Sequence, residues 1–410
     1  MSDDQQLGVW MPLQNIRVLD LTWAWAGPHA TRLLGDMGAD ILRIESAQRL
    51  DNLRRSGPRP EGFGDSLNAG GNFNQLNRNK QSIRINLKHP DGMSLAKSLA
   101  AVSDVVVSNF APGVMGRLGL DYETLREGNE RLVWAAISGF GLTGPQSSHV
   151  TFGPPMTFYS GLASITGFGP EDEPRMLGST YCDAVSGGHA AIAILAAVRH
   201  ARRTGVGQLV DVSMLEATIG FLPEMVLDYS VTGRVRRGAG NRDDFYSPQG
   251  CYRCLGEDEW VAVTVRNEQD WSATVRLLER PELGALTTPA ARRERIDEID
   301  AALSAWAALR TAKAAAQQLQ LAGVPGAQAL TAQGMLEDEH FDARQFFVAD
   351  HHPEVGVRKI AGLAWAMSGL PRTIRDSAPL FGQHTRSALA RVLGLSDEAL
   401  DDLEEKGVLA

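Results

Sequence analysis

Asp183 is the acid whose neighbours most suggest chemistry. It stands between Gly178-Ser179 and Ser186-Gly187-Gly188, directly ahead of the most apolar run in the chain, residues 184–198. Two readings are open. In the first, the carboxylate is a helix N-cap that accepts from unpaired backbone N–H groups. In the second, a carboxylate at a helix mouth beside apolar walls is desolvated enough to attack a thioester, and the same backbone donors stabilise the oxyanions that develop. The usual signatures of other chemistries are missing: G-x-G-x-x-G, G-x-x-x-x-G-K, H-E-x-x-H and G-x-S-x-G do not occur. The nine histidines are scattered, and the adjacent pair His351-His352 cannot converge on one metal. Cys251 and Cys254 form a lone C-x-x-C with no second pair to complete a zinc site, so packing is their expected role. No metal and no tightly bound cofactor are expected.

The elements that must position Asp183 follow a strand–helix alternation. Strands are expected over residues 17–21 (RVLDL), 39–45 (ADILRIE), 82–87 (SIRINL), 104–110 (DVVVSNF), 132–138 (LVWAAIS) and 208–214 (QLVDVSM). A helix should start at Pro28, where the missing N–H costs nothing, and stop at Gly38. A short helix is expected near residues 122–127. The apolar run after Asp183 reads as a buried helix with a basic last turn (His200, Arg202, Arg203) that complements its dipole. Residues 47–79, rich in Arg, Gly, Asn and Pro, read as a long functional loop. The pattern implies an α/β fold with a mostly parallel sheet. In such sheets ligands bind at the carboxyl ends of strands. Four polar, Gly- or Pro-containing turns fall there: residues 23–28, 86–88, 109–113 and 138–141.

After about residue 230 the pattern changes. A hairpin is expected over residues 250–266, Ala- and Leu-rich helices over 270–320, and one or two amphipathic helices in the tail, 377–410. The division is a large domain over residues 1–225, a linker over 226–245, a small α+β domain over 246–340, and a linker with a C-terminal segment over 341–410. Gly238-Ala239-Gly240 could be a lid or a simple linker.

A formal charge of −9 argues against a general nucleic-acid binder. Three cysteines, an odd and sparse count, fit a reducing, cytoplasmic setting. The N-terminus, MSDDQQLGVW, has no signal-peptide pattern. Residues 184–198 are fewer than the ~20 needed for a bilayer span, so no membrane association is expected.

The same segments resemble the family III CoA-transferases, the group of formyl-CoA:oxalate CoA-transferase, carnitine CoA-transferase and α-methylacyl-CoA racemase. The matching stretches are VLDLTWAWAGPHATRLLGDMGADILRIE (18–45), LNRNKQSIRINLKHPDG (76–92), SDVVVSNFAPGVMGRLGLDYETL (103–125), ISGFGLTGP (137–145), SGLASITGF (160–168), DAVSGGHAAIAILAAVRHARRTGVGQLVDVSMLEA (183–217) and FGQHTRSALARVLG (381–394). The ordered set spans nearly the whole chain. The resemblance implies a Rossmann-like large domain, a small domain, and a ring-shaped subunit whose C-terminal segment returns to the large domain. It also implies two rings interlocked as a homodimer. The alternative reading is a non-catalytic CoA-binding subunit within a heteromer of related subunits. The substrates would be an acyl-CoA and a carboxylic acid.

Position by position, the resemblance places the catalytic aspartate at Asp183. CoA contacts fall at Ile85, Asn86, Leu87 and Lys88, at Asn109, Phe110 and Ala111, and at Arg117. Trp25 and Ala26 take the loop position near the thioester, although formyl-CoA transferase has Gln where Trp25 stands. An Arg of that enzyme is Ser46 here, and its Lys falls near Val150, with His149 beside it. The racemase's His and Glu fall on Phe152 and near Asn267, neither of which exchanges a proton, and this argues against racemisation. For the transferred acid, Arg54, Arg55, Arg78, Arg242 and Arg266 are candidates to hold a dicarboxylate such as succinate. Trp23, Trp25, Phe152 and Tyr159 would suit a bulky or aromatic acid.

Overall fold

The computed structural model describes residues 10–178 and 180–409. Residues 1–9, read above for a signal segment, and Ser179 beside Asp183 lie outside the described residues.

Six strands form one parallel sheet: β1 (Arg17–Asp20), β2 (Asp40–Glu45), β3 (Gln81–Arg84), β4 (Val105–Ser108), β5 (Val133–Ser138) and β6 (Leu209–Ser213). Their spatial order is β3-β2-β1-β4-β5-β6, every neighbouring pair parallel. All of β4 and β5 is buried, as near-continuous apolar strands covered on both faces should be. The order reverses between β1 and β4, which makes their carboxyl ends the place where a crevice opens.

The first helices are α1 (Ala26–Asp36), α2 (Gly71–Asn77), α3 (Pro90–Ala101), α4 (Val114–Leu118), α5 (Tyr122–Arg126), α6 (Gly153–Tyr159) and α7 (Tyr181–Thr204). Helix α1 and α7 share one core with the front of the sheet, through Ala26, Ala30, Leu34, Ala190, Ile194 and Val107. The chain between β2 and β3 is not all loop, as expected above. Its polar sequence hides α2, which is held by buried Phe73 and Leu76 against Leu53 and Ala378, a contact far away in sequence.

Helix α7 begins at Tyr181 and runs for 24 residues. It ends where the basic last turn and Gly205 predicted, and its start lies three residues ahead of the apolar run. By length and composition it could cross a membrane. Here its face from Cys182 through Ser186, Ala190, Ile194 and Ala197 is buried in the protein core. Its last turn carries Arg202 and Arg203 and ends on Gly205, left-handed at φ 80°.

Two compact units emerge. The first comprises residues 10–162, 176–230 and 339–409, and includes the parallel sheet. After β6 it continues with α8 (Met214–Ile219) and α9 (Pro223–Thr232), whose last turn crosses the boundary. The second unit comprises 163–175 and 231–338. It has an antiparallel sheet of β7 (Gln249–Arg253), β8 (Trp260–Thr264) and β9 (Gly326–Gln328). Its helices are α10 (Glu268–Leu278), α11 (Pro289–Glu294), α12 (Ile296–Ala308), α13 (Ala312–Leu321) and α14 (Ala332–Glu337), packed around Trp271, Val263 and Leu303. Cys254 is buried in that core and burial pushes its thiol up, in keeping with a packing role. Gly238 and Gly240 pack on Gly167 and Phe168 of the same unit.

The chain then re-enters the first unit through α15 (Glu339–Ala343) and an antiparallel hairpin of β10 (Phe347–His352) and β11 (Gly356–Ala361), which the sequence reading lacked. Helices α16 (Thr385–Leu393) and α17 (Asp397–Glu405) close it. They cover the β3 side of the sheet: His384 N–H donates to Ser82 O at 3.0 Å, and Arg84 N–H to Thr385 Oγ1 at 3.0 Å. Ala388, Leu389, Leu400 and Val408 join the core behind Ile83 and Ile85.

Candidate active site

Asp183 is the third residue of α7. Thr180 takes the cap position and makes no side-chain capping bond. The cap reading is therefore replaced by one in which the carboxylate lies within the first turn. The backbone N–H groups of Asp183 itself and of Ala26, the first residue of α1, face it and favour its charged form. Two helix N-termini thus meet at one carboxylate. Gly187, one turn further along α7, makes this approach feasible. A Cβ there would stand 2.7 Å from the Ala26 carbonyl oxygen and 2.8 Å from His29 Cδ2. Burial pushes the Asp183 carboxyl up to about 6, and the two backbone N–H groups pull against it. The helix dipoles favour the charge, yet desolvation wins. At neutral pH the group is ionised and poorly solvated, the state a carboxylate nucleophile needs.

The loop from β1 to α1 is shaped by side chains from neighbouring strand ends. Asn109, just past β4, accepts from Trp23 N–H at 2.8 Å and donates to the Trp23 carbonyl at 2.7 Å. Both polar ends of Asn109 are thereby engaged, so it positions the loop. Ala24 is left-handed at φ 58°, a strained conformation for a residue with a Cβ. The Asp51 carboxylate accepts its N–H, along with that of Leu53. Arg43 binds Asp51 at 2.6 Å and the Thr22 carbonyl at 2.8 Å. Beneath lie Asp20, Glu45, Arg54 and Lys80, all fully buried and mutually paired. Despite burial, Lys80, Arg43 and two hydroxyls hold Asp20 down to about 2. The loop therefore rests on a neutral floor of fixed charges.

Beside the loop, a cleft of about 270 Å³ opens at the strand ends. Its lining includes Ile85, Asn86, Leu87, Lys88, Phe110 and Arg117, six of the residues expected from the sequence, together with Trp23, Arg49 and Met115. Trp23 and Phe110 meet edge to face at 5.1 Å between centroids, and the Arg49 guanidinium lies over the Trp23 ring at 5.1 Å. Among the described residues Lys88, Arg49 and Arg117 have no carboxylate partner, so three free cations edge an apolar slot. Asn86 Oδ1 accepts from Lys88 N–H at 3.1 Å and fixes the turn. Asn86 N–H donates to the Val408 carbonyl at 2.8 Å, so the tail frames the cleft. The sequence reading missed Arg49. Its signal was a basic residue three positions beyond Ser46, the site where an Arg was missed from the pattern.

Other expected residues lie elsewhere. Ala111 is exposed on the turn before α4. Trp25 packs against Leu53 and Phe73 at the start of α1. His149 lies in a separate open groove with Phe140 and Tyr159, its ring edge-on to Phe140. Phe152 is exposed ahead of α6, and Asn267 caps α10 in the second unit. Of the candidate arginines, Arg54 binds Glu45 and Arg78 binds Asp36, both buried and neutralised. Arg242 and Arg266 pair with Asp300 and Asp270 within the second unit, and Arg55 is exposed.

A poorly solvated carboxylate and an apolar slot edged by cations thus flank the loop from β1 to α1. The sequence pattern of CoA-transferase family III matches residues 13–385. The chain belongs to CoA-transferase family III. It is 32% identical over 401 residues to succinyl-CoA–D-citramalate CoA-transferase of Chloroflexus aurantiacus, covering 97% of this chain and 98% of that one. It is 30% identical over 405 residues to the beta subunit of succinyl-CoA–L-malate CoA-transferase of the same organism, covering 97% and 98%. Among solved structures, a CAIB/BAIF family protein from Brucella suis superposes with a TM-score of 0.83 at 26% identity, covering 93% of this chain and 99% of that one. The family III assignment and the α/β fold therefore agree.

Proposed function

We propose that this family III chain moves CoA between carboxylic acids through covalent intermediates on Asp183. The observation that carries the reading is the meeting of two helix N-termini at that carboxylate. The nucleotide end of an acyl-CoA would lie in the cleft, its base beside Trp23 and Phe110 and its phosphates facing Lys88, Arg49 and Arg117. The pantetheine arm would follow the 22–26 loop from Trp23 to Ala26.

Asp183 attacks the donor thioester carbonyl, and CoA leaves as thiolate with a mixed anhydride formed. The thiolate attacks the aspartyl carbonyl, giving an aspartyl-CoA thioester and the free donor acid. The acceptor carboxylate attacks that thioester and expels CoA thiolate again. The thiolate then attacks the acyl carbonyl of the second anhydride, producing the new acyl-CoA and restoring Asp183. Each tetrahedral oxyanion would be stabilised by N–H groups at the two helix ends. Water must be excluded because both covalent species hydrolyse.

Both named relatives use succinyl-CoA, and we take it as the donor here. Assembly as an interlocked homodimer is supported by α9, which buries none of its residues and exposes Val226, Leu227 and Tyr229. The relative named as a subunit favours a second arrangement, a heteromer. Exchange activity of the purified chain alone separates the two.

Mass spectrometry of the protein after mixing with an acyl-CoA tests the carrier. An adduct on the peptide holding Asp183, absent from Asp183→Ala, is expected. Turnover retained in Asp183→Ala would overturn the assignment.

A further inference from the structure

Helix α1 carries a second polar cluster, one turn beyond its contact with Asp183. His29, Arg32 and Asp36 follow at helical spacing. Asp36 is saturated: Arg78 holds both its oxygens, at 2.9 and 2.7 Å, and Asn79 Nδ2 donates at 2.8 Å. Arg32 is 7% exposed and, among the described residues, forms no ion pair. Its Nε is buried with no hydrogen-bond partner. One guanidinium nitrogen donates to His29 Nδ1 at 3.0 Å. That bond places the remaining ring proton of His29 on Nε2. The Cδ2 edge of the ring, which adjoins Nε2, stands against Gly187, one turn past Asp183 on the same face of α7. Burial, reinforced by Arg32, holds His29 down to about 4, so at neutral pH it is an uncharged donor. Asp36 lies near enough to favour the charge on Arg32 but is engaged by Arg78, and a buried cation with no ion-pair partner of its own invites an anion.

We propose that His29 and Arg32 form the subsite for the far carboxylate of a dicarboxylic acyl group carried on Asp183. Arg32 supplies the charge and fixes the tautomer, and His29 presents Nε2–H. Ala26, which bonds the Asp183 carboxylate, and Arg32 are six residues apart, ~9 Å of helix. An arginine side chain on a helix folds back toward the N-terminus. That span suits a diacid of about four or five carbons better than oxalate. The inference rests on Asp183 being the acyl carrier, and it assigns the selectivity of that site to a pair of residues outside the nucleotide cleft.

The test compares succinyl-CoA with butyryl-CoA, which lacks the far carboxylate, against one acceptor. The wild type, Arg32→Met, Arg32→Lys and His29→Phe are each measured for kcat/KM and for the Asp183 adduct. In Arg32→Met the succinyl-to-butyryl ratio of kcat/KM should fall about 10- to 100-fold, the worth of a charge-assisted contact. Arg32→Lys should restore part of it, and His29→Phe should lower it. A ratio unchanged in Arg32→Met, or a parallel loss with both donors, overturns the subsite. If Arg32→Met does not fold, an unchanged ratio in Arg32→Lys and His29→Phe does the same. A butyryl adduct on Asp183 preserves the carrier assignment even when the subsite fails. Absence of any adduct in the wild type removes both.

Discussion

As the proposed acyl carrier, Asp183 would have to be charged and poorly solvated at once, and the two demands would give it a measurable signature. Only the carboxylate attacks, so kcat/KM for acyl-CoA should fall tenfold per pH unit below about 6 and be flat above. Its folded-state value lies above the ordinary 3.8, so ionisation works against folding. That cost is absent below pH 3.8, grows between 3.8 and about 6, and is complete above. Asp183→Asn keeps the hydrogen-bond acceptor and drops the charge. It should abolish exchange yet stabilise the protein at pH 7.5 by ~2–3 kcal/mol, seen as a raised thermal midpoint. A lowered midpoint would mean that the carboxylate is structural. At this scale the sequence was informative where chemistry and spacing coincide. The place of Asp183 at the start of a buried helix was visible from its glycine-rich flanks and apolar follow-on. Arg32 was not, because an arginine at a helical position looks solvated until its neighbours prove to be already paired. Arg54 and Arg78 misled for the converse reason: their carboxylate partners lie 9 and 42 residues away.

Helices, not loops, set the distance between the backbone donors and the Asp183 carboxylate. Gly187 sits where α7 meets the backbone of α1, and the atom a methyl group would strike there is a carbonyl oxygen that cannot swing aside. Gly187→Ala should push the helices apart and withdraw the Ala26 N–H from Asp183. A loss of about 100-fold in kcat is expected, comparable to removing one oxyanion donor. The Kd for CoA should change little, because the cleft at Ile85, Phe110 and Arg117 lies on other elements. Stopped-flow binding and steady-state rates would separate the two effects. The strands were legible because apolar runs punctuated by glycine and proline define buried parallel strands whatever their surroundings. Helix α2 was not, since NFNQLN carries too few apolar positions to show a period, and its stability comes from Leu53 and Ala378. The start of α7 was also hidden, because its first turn is polar.

At the scale of the molecule, a net charge of −9 coexists with a slot edged by Lys88, Arg49 and Arg117, which have no carboxylate partner among the described residues, while the one acid lining it, Glu45, is paired with Arg54. The exposed face of α9 belongs to this scale too. Leu227, 62% exposed, should be covered in a dimer. Leu227→Glu should shift sedimentation toward a monomer and lower activity in proportion. An unchanged sedimentation coefficient, or a wild-type protein that is already monomeric, would remove the dimer proposal. Sequence pattern could mark the change of composition near residue 230. It could not show that residues 163–175 join the second unit or that the tail frames the cleft, because such pairings are made in three dimensions between segments with no local signature.

The bonds from His384 and Thr385 to β3 join residues made about 300 positions apart. During synthesis at ~5–20 residues per second, the outer edge of β3 therefore waits some 15–60 s for its cover. Through that interval the nascent protein presents bare strand N–H and C=O groups beside greasy Ile83 and Ile85, a template for illicit pairing with another chain. Yield in a cell should then depend on what shields that edge while the ribosome finishes.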